Sequence, residues 1–156
     1  MPKIYFASDH AGFELKKILL AFVEELGYAI EDLGAHTLNP DDDYPDFVLQ
    51  LANRVATDPE SRGIIIGGSG QGEAMAANRV RGVRAAVYYG DAQTSQTDSD
   101  GSSLDIIESM RIHNNANIIA LGARFISTDE AKKTVKHFLE IQFSDDPRHI
   151  RRLAKF

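Results

Sequence analysis

The chain has 156 residues, the size of one domain, with 43% hydrophobic and 26% charged residues, proportions ordinary for a globular protein. Seventeen Lys and Arg against 23 Asp and Glu leave a net charge of −6, which argues against a polyanion partner, so neither nucleic acid nor an anionic membrane is expected. Cysteine is absent, which excludes a disulfide scaffold, a thiolate metal site, an iron–sulfur cluster and a cysteine nucleophile. The opening stretch MPKIYFASDHAG has neither the basic nor the apolar part of a signal peptide, and no apolar run is long enough to cross a membrane; the expected location is the cytoplasm.

Short apolar runs alternate with segments of helical period. Residues 3–7 read as a first strand, leading into Ser8-Asp9-His10-Ala11-Gly12. Apolar residues at 15, 18, 19, 22, 23 and 26 mark an amphipathic helix over 13–26, with Gly27 at its end. A second strand follows at 29–33, then a polar stretch to Asp43 and a helix over 47–56 introduced by Tyr44-Pro45-Asp46. The wholly apolar 63–66 reads as a strand buried on both faces, and the glycine-rich 67–72 turns into a helix over 73–78. Strands at 84–88 and 118–121 complete the set, with Ser127 capping a last long helix through Leu139. This order predicts a Rossmann-like three-layer αβα sandwich on a five-stranded parallel sheet. Ligands of such sheets bind where strands exit. One segment, Asp91 to Asp105, has acidic residues and no basic ones; it reads as a flexible surface loop, with a substrate lid as the alternative.

The loop Gly67-Gly68-Ser69-Gly70-Gln71-Gly72-Glu73 is best read by elimination. Gly67 and Gly72 fit GxxxxG, but a phosphate-binding P-loop then needs Lys and Ser or Thr, where this chain has Glu73 and Ala74. The dinucleotide fingerprint fails as well, since its third glycine falls on Glu73 or Met75. Backbone donors beside one carboxylate remain, a pairing suited to removing a proton next to a carbonyl. The plainer alternative is that Glu73 only complements the dipole of the helix it opens. His10 follows the first strand and His113 precedes the fifth; two histidines near strand-exit loops of one sheet point toward a site. Arg148 and Arg152, four apart, form either a two-pronged grip on phosphate or a solvated basic helix end.

Together these segments closely resemble the ribose-5-phosphate isomerase B family, within a wider group that includes galactose-6-phosphate isomerases. The resemblance runs over nearly the whole chain. It rests on Ser8 to Gly12, Asp43-Tyr44-Pro45-Asp46, Gly68 to Glu73, Ala76-Ala77-Asn78-Arg79, Arg84-Ala85, His113-Asn114, Gly122-Ala123-Arg124, and Arg148-His149 with Arg152. It implies an aldose–ketose isomerase working through an enediolate without metal or cofactor, on a phosphorylated sugar, with sites shared between the subunits of a homodimer, or of a tetramer. The C-terminal helix, about 147–156, would reach the partner subunit. Glu73 would shuttle the proton, and the amides around Ser69, Gly70 and Gly72 would stabilise the enediolate. His113, with Asp9 and Tyr44 nearby, would assist ring opening, and Asn114 would hold sugar hydroxyls. His10, Arg124, Arg148 and Arg152 would bind phosphate. Many members carry a cysteine base at the position of Gly67; the glutamate-carrying branch is the one this chain resembles. The segment 91–105 looks longer than usual for the family. The alternatives to ribose 5-phosphate are another phosphosugar, such as galactose 6-phosphate or allose 6-phosphate, and a non-catalytic phosphosugar-binding role.

Overall fold

A computed structural model of the chain describes residues 1–94 and 97–156, so the predicted segment 91–105 lies outside the described residues at 95 and 96. Five strands, β1 (Ile4–Ser8), β2 (Ile30–Asp32), β3 (Arg62–Gly67), β4 (Ala85–Tyr88) and β5 (Ile118–Gly122), form one all-parallel sheet in the order β2-β1-β3-β5-β4. The continuous apolar runs of β1, β3 and β5 are buried because helices cover both faces of these strands. Alternate residues of each strand therefore serve different cores. Ile64, Ile66, Ile119 and Leu121 pack with Leu15, Leu19 and Val23 of α1 (Phe13–Glu25) and Val135 and Phe138 of α5 (Thr128–Glu140). Ile65, Ile118 and Ala120 pack with Val48, Leu51 and Val55 of α2 (Tyr44–Thr57) and Ala74 and Ala77 of α3 (Gln71–Ala77). Burying each such aliphatic side chain contributes about 1.5–3 kcal/mol. The predicted three-layer sandwich is what forms.

Several boundaries differ from the sequence reading for local reasons. Helix α2 starts three residues earlier than the expected 47, because Pro45 sits in its first turn, where an absent N–H costs nothing. Helix α3 starts at Gln71 rather than 73, since Gly70 takes the left-handed φ of 76° that turns the strand exit into the helix. Between β4 and β5 the chain forms the short α4 (Ile106–Glu108), widened into a π turn over Ser109–His113. The final helix, α6 (Pro147–Leu153), is short and capped by Asp146, whose side chain accepts the Arg148 N–H.

The strand order positions the site. Chain direction across the sheet reverses between β1 and β3, which leaves a crevice beyond their carboxyl ends. Insertion of β5 beside β3 brings a third strand exit to the same place. The segments after β1, β3 and β5 are thus neighbours, although more than fifty residues separate each from the next in the chain.

Candidate active site

Each of those three exits supplies side chains. After β1, Asp9 turns inward and its Oδ1 accepts the N–H groups of Ala11 (3.0 Å) and Gly12 (3.3 Å), capping a short 3-10 turn. After β3, the loop 68–70 is laced to the β5 exit: Ala123 N–H donates to Gly67 O at 2.8 Å and Arg124 N–H to Gly68 O at 3.2 Å. The Arg124 guanidinium lies over Gly68, 3.2 Å from where a Cβ would stand. From α2, the Tyr44 hydroxyl comes closer still to Gly72, 2.5 Å from its would-be Cβ. These groups enclose a crevice of about 610 Å³ lined by Asp9, His10, Tyr44, Ser69, Gly72, Glu73 and Arg124.

Glu73 is the group that stands out. It belongs to the first turn of α3, yet it points inward and only 4% of it is exposed. Its carboxylate occupies the space directly over Gly67, so that any side chain at 67 would collide with it. A base on residue 67 and a base on residue 73 are therefore alternatives for one location. Burial pushes the Glu73 carboxyl above its usual range and the Asp9 charge pushes it the same way, while the backbone N–H groups of Glu73 and Gly70 oppose them. That shift moves a carboxyl toward the pKa a base needs near neutrality. In the loop, the Gln71 N–H is taken by Ser69 Oγ at 3.3 Å, and the Gly70 carbonyl starts the helix by accepting from Ala74 at 3.0 Å.

His10 has a partner that sequence reading missed. Asp42 Oδ1 accepts the His10 backbone N–H at 3.0 Å and sits 2.6 Å from its Nδ1. That carboxylate raises the imidazole above its usual range, and nearby Arg124 opposes the shift. His10 and Arg124 thus stand at the same end of the crevice. The only sequence signal for Asp42 was its place in the acidic run 41–43 before Tyr44, which reads as an ordinary turn. Asp9, His10 and Asp42 also present ligand atoms within 4.8 Å of one another, the arrangement of a cation site, though Asp9 and Asp42 already accept hydrogen bonds from the chain.

The remaining predicted residues are elsewhere. His113, Arg148 and Arg152 line a separate cavity of about 250 Å³ that shares no residue with the first. Within one chain, His113 does not stand beside Asp9 and Tyr44. In a parallel sheet the segment before β5 meets the amino ends of the strands, whereas Glu73 stands beyond their carboxyl ends. Asn114 is exposed, its Nδ2 donating to Ser109 O at 3.1 Å, and it borders neither cavity. Behind His113 lies His149, a second residue the sequence reading left without a role. It is 4% exposed, its ring centroid is 4.4 Å from that of His113, and its Nδ1 is 2.9 Å from Ser144 Oγ. Burial, then the adjacent His113, hold His149 below the usual imidazole range.

Arginine, histidine and carboxylate around a donor loop on this sheet narrow the choice of relatives, and comparison with known proteins decides it. A profile described as Ribose/Galactose Isomerase matches residues 4–156. The chain belongs to the ribose/galactose isomerase family. Ribose-5-phosphate isomerase B of Mycolicibacterium paratuberculosis is 40% identical over 151 residues, covering 97% of this chain and 87% of that protein. The crystal structure of ribose-5-phosphate isomerase B from Mycoplasma genitalium with bound ribulose-5-phosphate superposes with a TM-score of 0.84 at 36% identity, covering 98% of this chain and 92% of the other. The Clostridium thermocellum ribose-5-phosphate isomerase B gives 0.82 at 39% identity, covering 98% and 93%. Family membership and fold thus agree with what the strand exits display.

Proposed function

We propose that this chain interconverts D-ribose 5-phosphate and D-ribulose 5-phosphate in the cytoplasm, through an enediolate and with Glu73 as proton shuttle. The observation that carries this is the buried Glu73 carboxylate beside the donor loop that follows β3. The bound ribulose-5-phosphate of the Mycoplasma genitalium relative supports the substrate class.

The chemistry balances without an external reagent. With the ring open, the Glu73 carboxylate takes the proton from C2, and the electron pair moves through C1–C2 onto the C1 carbonyl oxygen. The Glu73 carboxylate holds the Gly70 N–H and Ser69 Oγ the Gln71 N–H, which leaves the Ser69 and Gly72 amides for the developing oxyanion; losing one such donor in other enzymes costs about 3–4 kcal/mol. A proton passes between the two enediolate oxygens, and Glu73 returns its own proton to C1. Ring opening needs an acid for the ring oxygen, the role of His113, with Asp9 and Tyr44 polarising the sugar hydroxyl and Asn114 holding others.

His113, Arg148 and Arg152 cannot join Glu73 within one chain, because they line the other cavity. The complete site is therefore read as composite. The crevice of one subunit faces the His113 cluster of a second copy in a homodimer, and α6 carries Arg148 and Arg152 across. Phosphate is then held between His10 and Arg124 of one copy and Arg148 and Arg152 of the other. The test is isomerisation of a panel of aldose 5- and 6-phosphates by the wild type and by Glu73→Gln. The expected result is turnover of ribose 5-phosphate that falls at least 100-fold in the variant while sugar-phosphate binding survives. Normal turnover by Glu73→Gln removes the base from Glu73, preference for a six-carbon phosphate moves the substrate, and activity on none leaves a binding protein.

A further inference from the structure

Within the polar segment expected as a flexible surface loop, residues 97–103 form a closed hairpin laid on Arg148. Thr97 and Ser103 pair as an antiparallel bridge. Asp98 Oδ1 accepts the N–H groups of Asp100 (2.9 Å) and Ser102 (3.0 Å), and Gly101 turns the tip with a φ of 81°. Asp105 roots the hairpin through a capping box with Glu108, and its Oδ2 lies 2.9 Å from His137 Nε2 on α5. The tip then reaches α6: Arg148 Nη1 donates to Ser99 Oγ at 2.8 Å, and Nη2 stands 3.6 Å from Asp100 Oδ2. Thr97, Asp98 and Ser99 wall the same cavity that His113 and Arg152 line. The Arg148 Nε–H is buried with no partner among the described residues.

A guanidinium presents planar pairs of donors that a phosphate dianion satisfies two at a time. Here both Nη groups already face the hairpin. Asp100 bears the same sign of charge as phosphate and stands at the same guanidinium, so the two compete for it. Asp100 is mostly exposed, and an exposed pair at 3.6 Å is weak enough to be exchanged rather than permanent. Arg148 keeps a second carboxylate, Asp146 at 3.8 Å on its own helix, which orients it whether or not the hairpin is in place.

We propose that the hairpin 97–103 sets phosphate affinity: Ser99 and Asp100 hold Arg148 in the free enzyme, and the substrate phosphate binds in exchange for Asp100. This rests on the phosphate role given to Arg148 above, and the test separates the two. KM for ribose 5-phosphate and the inhibition constant of inorganic phosphate are measured for wild type, Asp100→Asn, Arg148→Ala, Arg148→Lys and the Asp100→Asn, Arg148→Ala double variant. Asp100→Asn is expected to lower both constants by roughly two- to five-fold, an advantage that fades in high salt, and to change neither in the Arg148→Ala background. Arg148→Ala is expected to raise both at least ten-fold, with Arg148→Lys in between. Unchanged constants in both Arg148 variants overturn the phosphate role and the exchange with it. Constants raised by Arg148→Ala but unchanged or raised by Asp100→Asn overturn the exchange alone and make Asp100 a positioning residue.

Discussion

At position 73 a first-turn glutamate, the commonest place for a dipole-complementing acid, has been turned inward and buried. Two neighbours explain why this is tolerable. Gly67 leaves the volume that the carboxylate fills, and the amides of Gly70 and Glu73 partly offset its desolvation. Asp9 works the other way, its charge adding to the upward shift of the Glu73 carboxyl. A pH dependence follows. In its proposed role as base Glu73 must be ionised, so kcat/KM is expected to fall as pH drops through the Glu73 pKa. Removing the Asp9 charge favours the ionised form and lowers that pKa, hence Asp9→Asn is expected to move the acid limb of the profile to lower pH. Asparagine still accepts the Ala11 and Gly12 N–H groups through its Oδ1, so the turn survives. A pH–rate profile in which the limb stays put would deny any electrostatic coupling between the two carboxyls. Glu73 was legible in sequence because the two known glycine-loop patterns failed at that residue. Asp42 was not, since its tie to His10 spans 32 residues and nothing in an acidic run announces a long-range partner. Lys16 shows the same limit: nothing in its place on α1 announces that it is buried, its Nζ bonded to Asp32 and to the Ala35 carbonyl at 2.6 Å each.

Among the elements, alternation of strand and helix could be read directly, because hydrophobic period and glycine punctuation are local properties. The order of strands could not. Placement of β5 between β3 and β4 depends on which edges bury best together, and it is this placement that brings Arg124 to the glycine loop. The segment before β5 shows the consequence of that limit. His113 looked like a companion of His10, but its distance from β5 along the chain fixes it at the amino end of the sheet. The hairpin was hidden for a different reason: its stability comes from one aspartate folding the chain on itself and from a helix cap, both available to any polar stretch. The cap is testable. Asp105 accepts the Glu108 N–H at 2.7 Å, Glu108 accepts the Asp105 N–H at 2.8 Å, and His137 holds the outer oxygen. Asp105→Ala is expected to lower unfolding stability by about 1 kcal/mol, visible as a fall of a few degrees in Tm. An unchanged Tm would mean that α4 and its hairpin are held by the packing of Ile107 and Met110 alone.

On the scale of the molecule, Glu73 with its glycine loop and His113 with Arg148 and Arg152 stand in separate cavities, the two halves of the composite site proposed above. Exposed apolar groups at the first crevice, Met75 and Phe125, are 67% and 63% accessible, and Tyr89 packs edge-on against Phe125 with ring centroids 5.4 Å apart. A face of that kind beside a polar site suits a partner that supplies the missing groups. The two-fold dimer proposed above makes a prediction that is measurable without a structure of the assembly. Glu73→Gln damages only the base half-site and His113→Ala only the ring-opening half-site, so each variant alone is expected to be nearly inactive. When the two are unfolded together and refolded at equal concentration, random pairing makes about half of the dimers mixed. In each mixed dimer one composite site carries both lesions and the other carries neither. Activity per chain should therefore recover to about one quarter of the wild-type value, from two preparations that are each close to zero. A site completed within one chain yields no recovery, because every chain then carries a lesion in its own site.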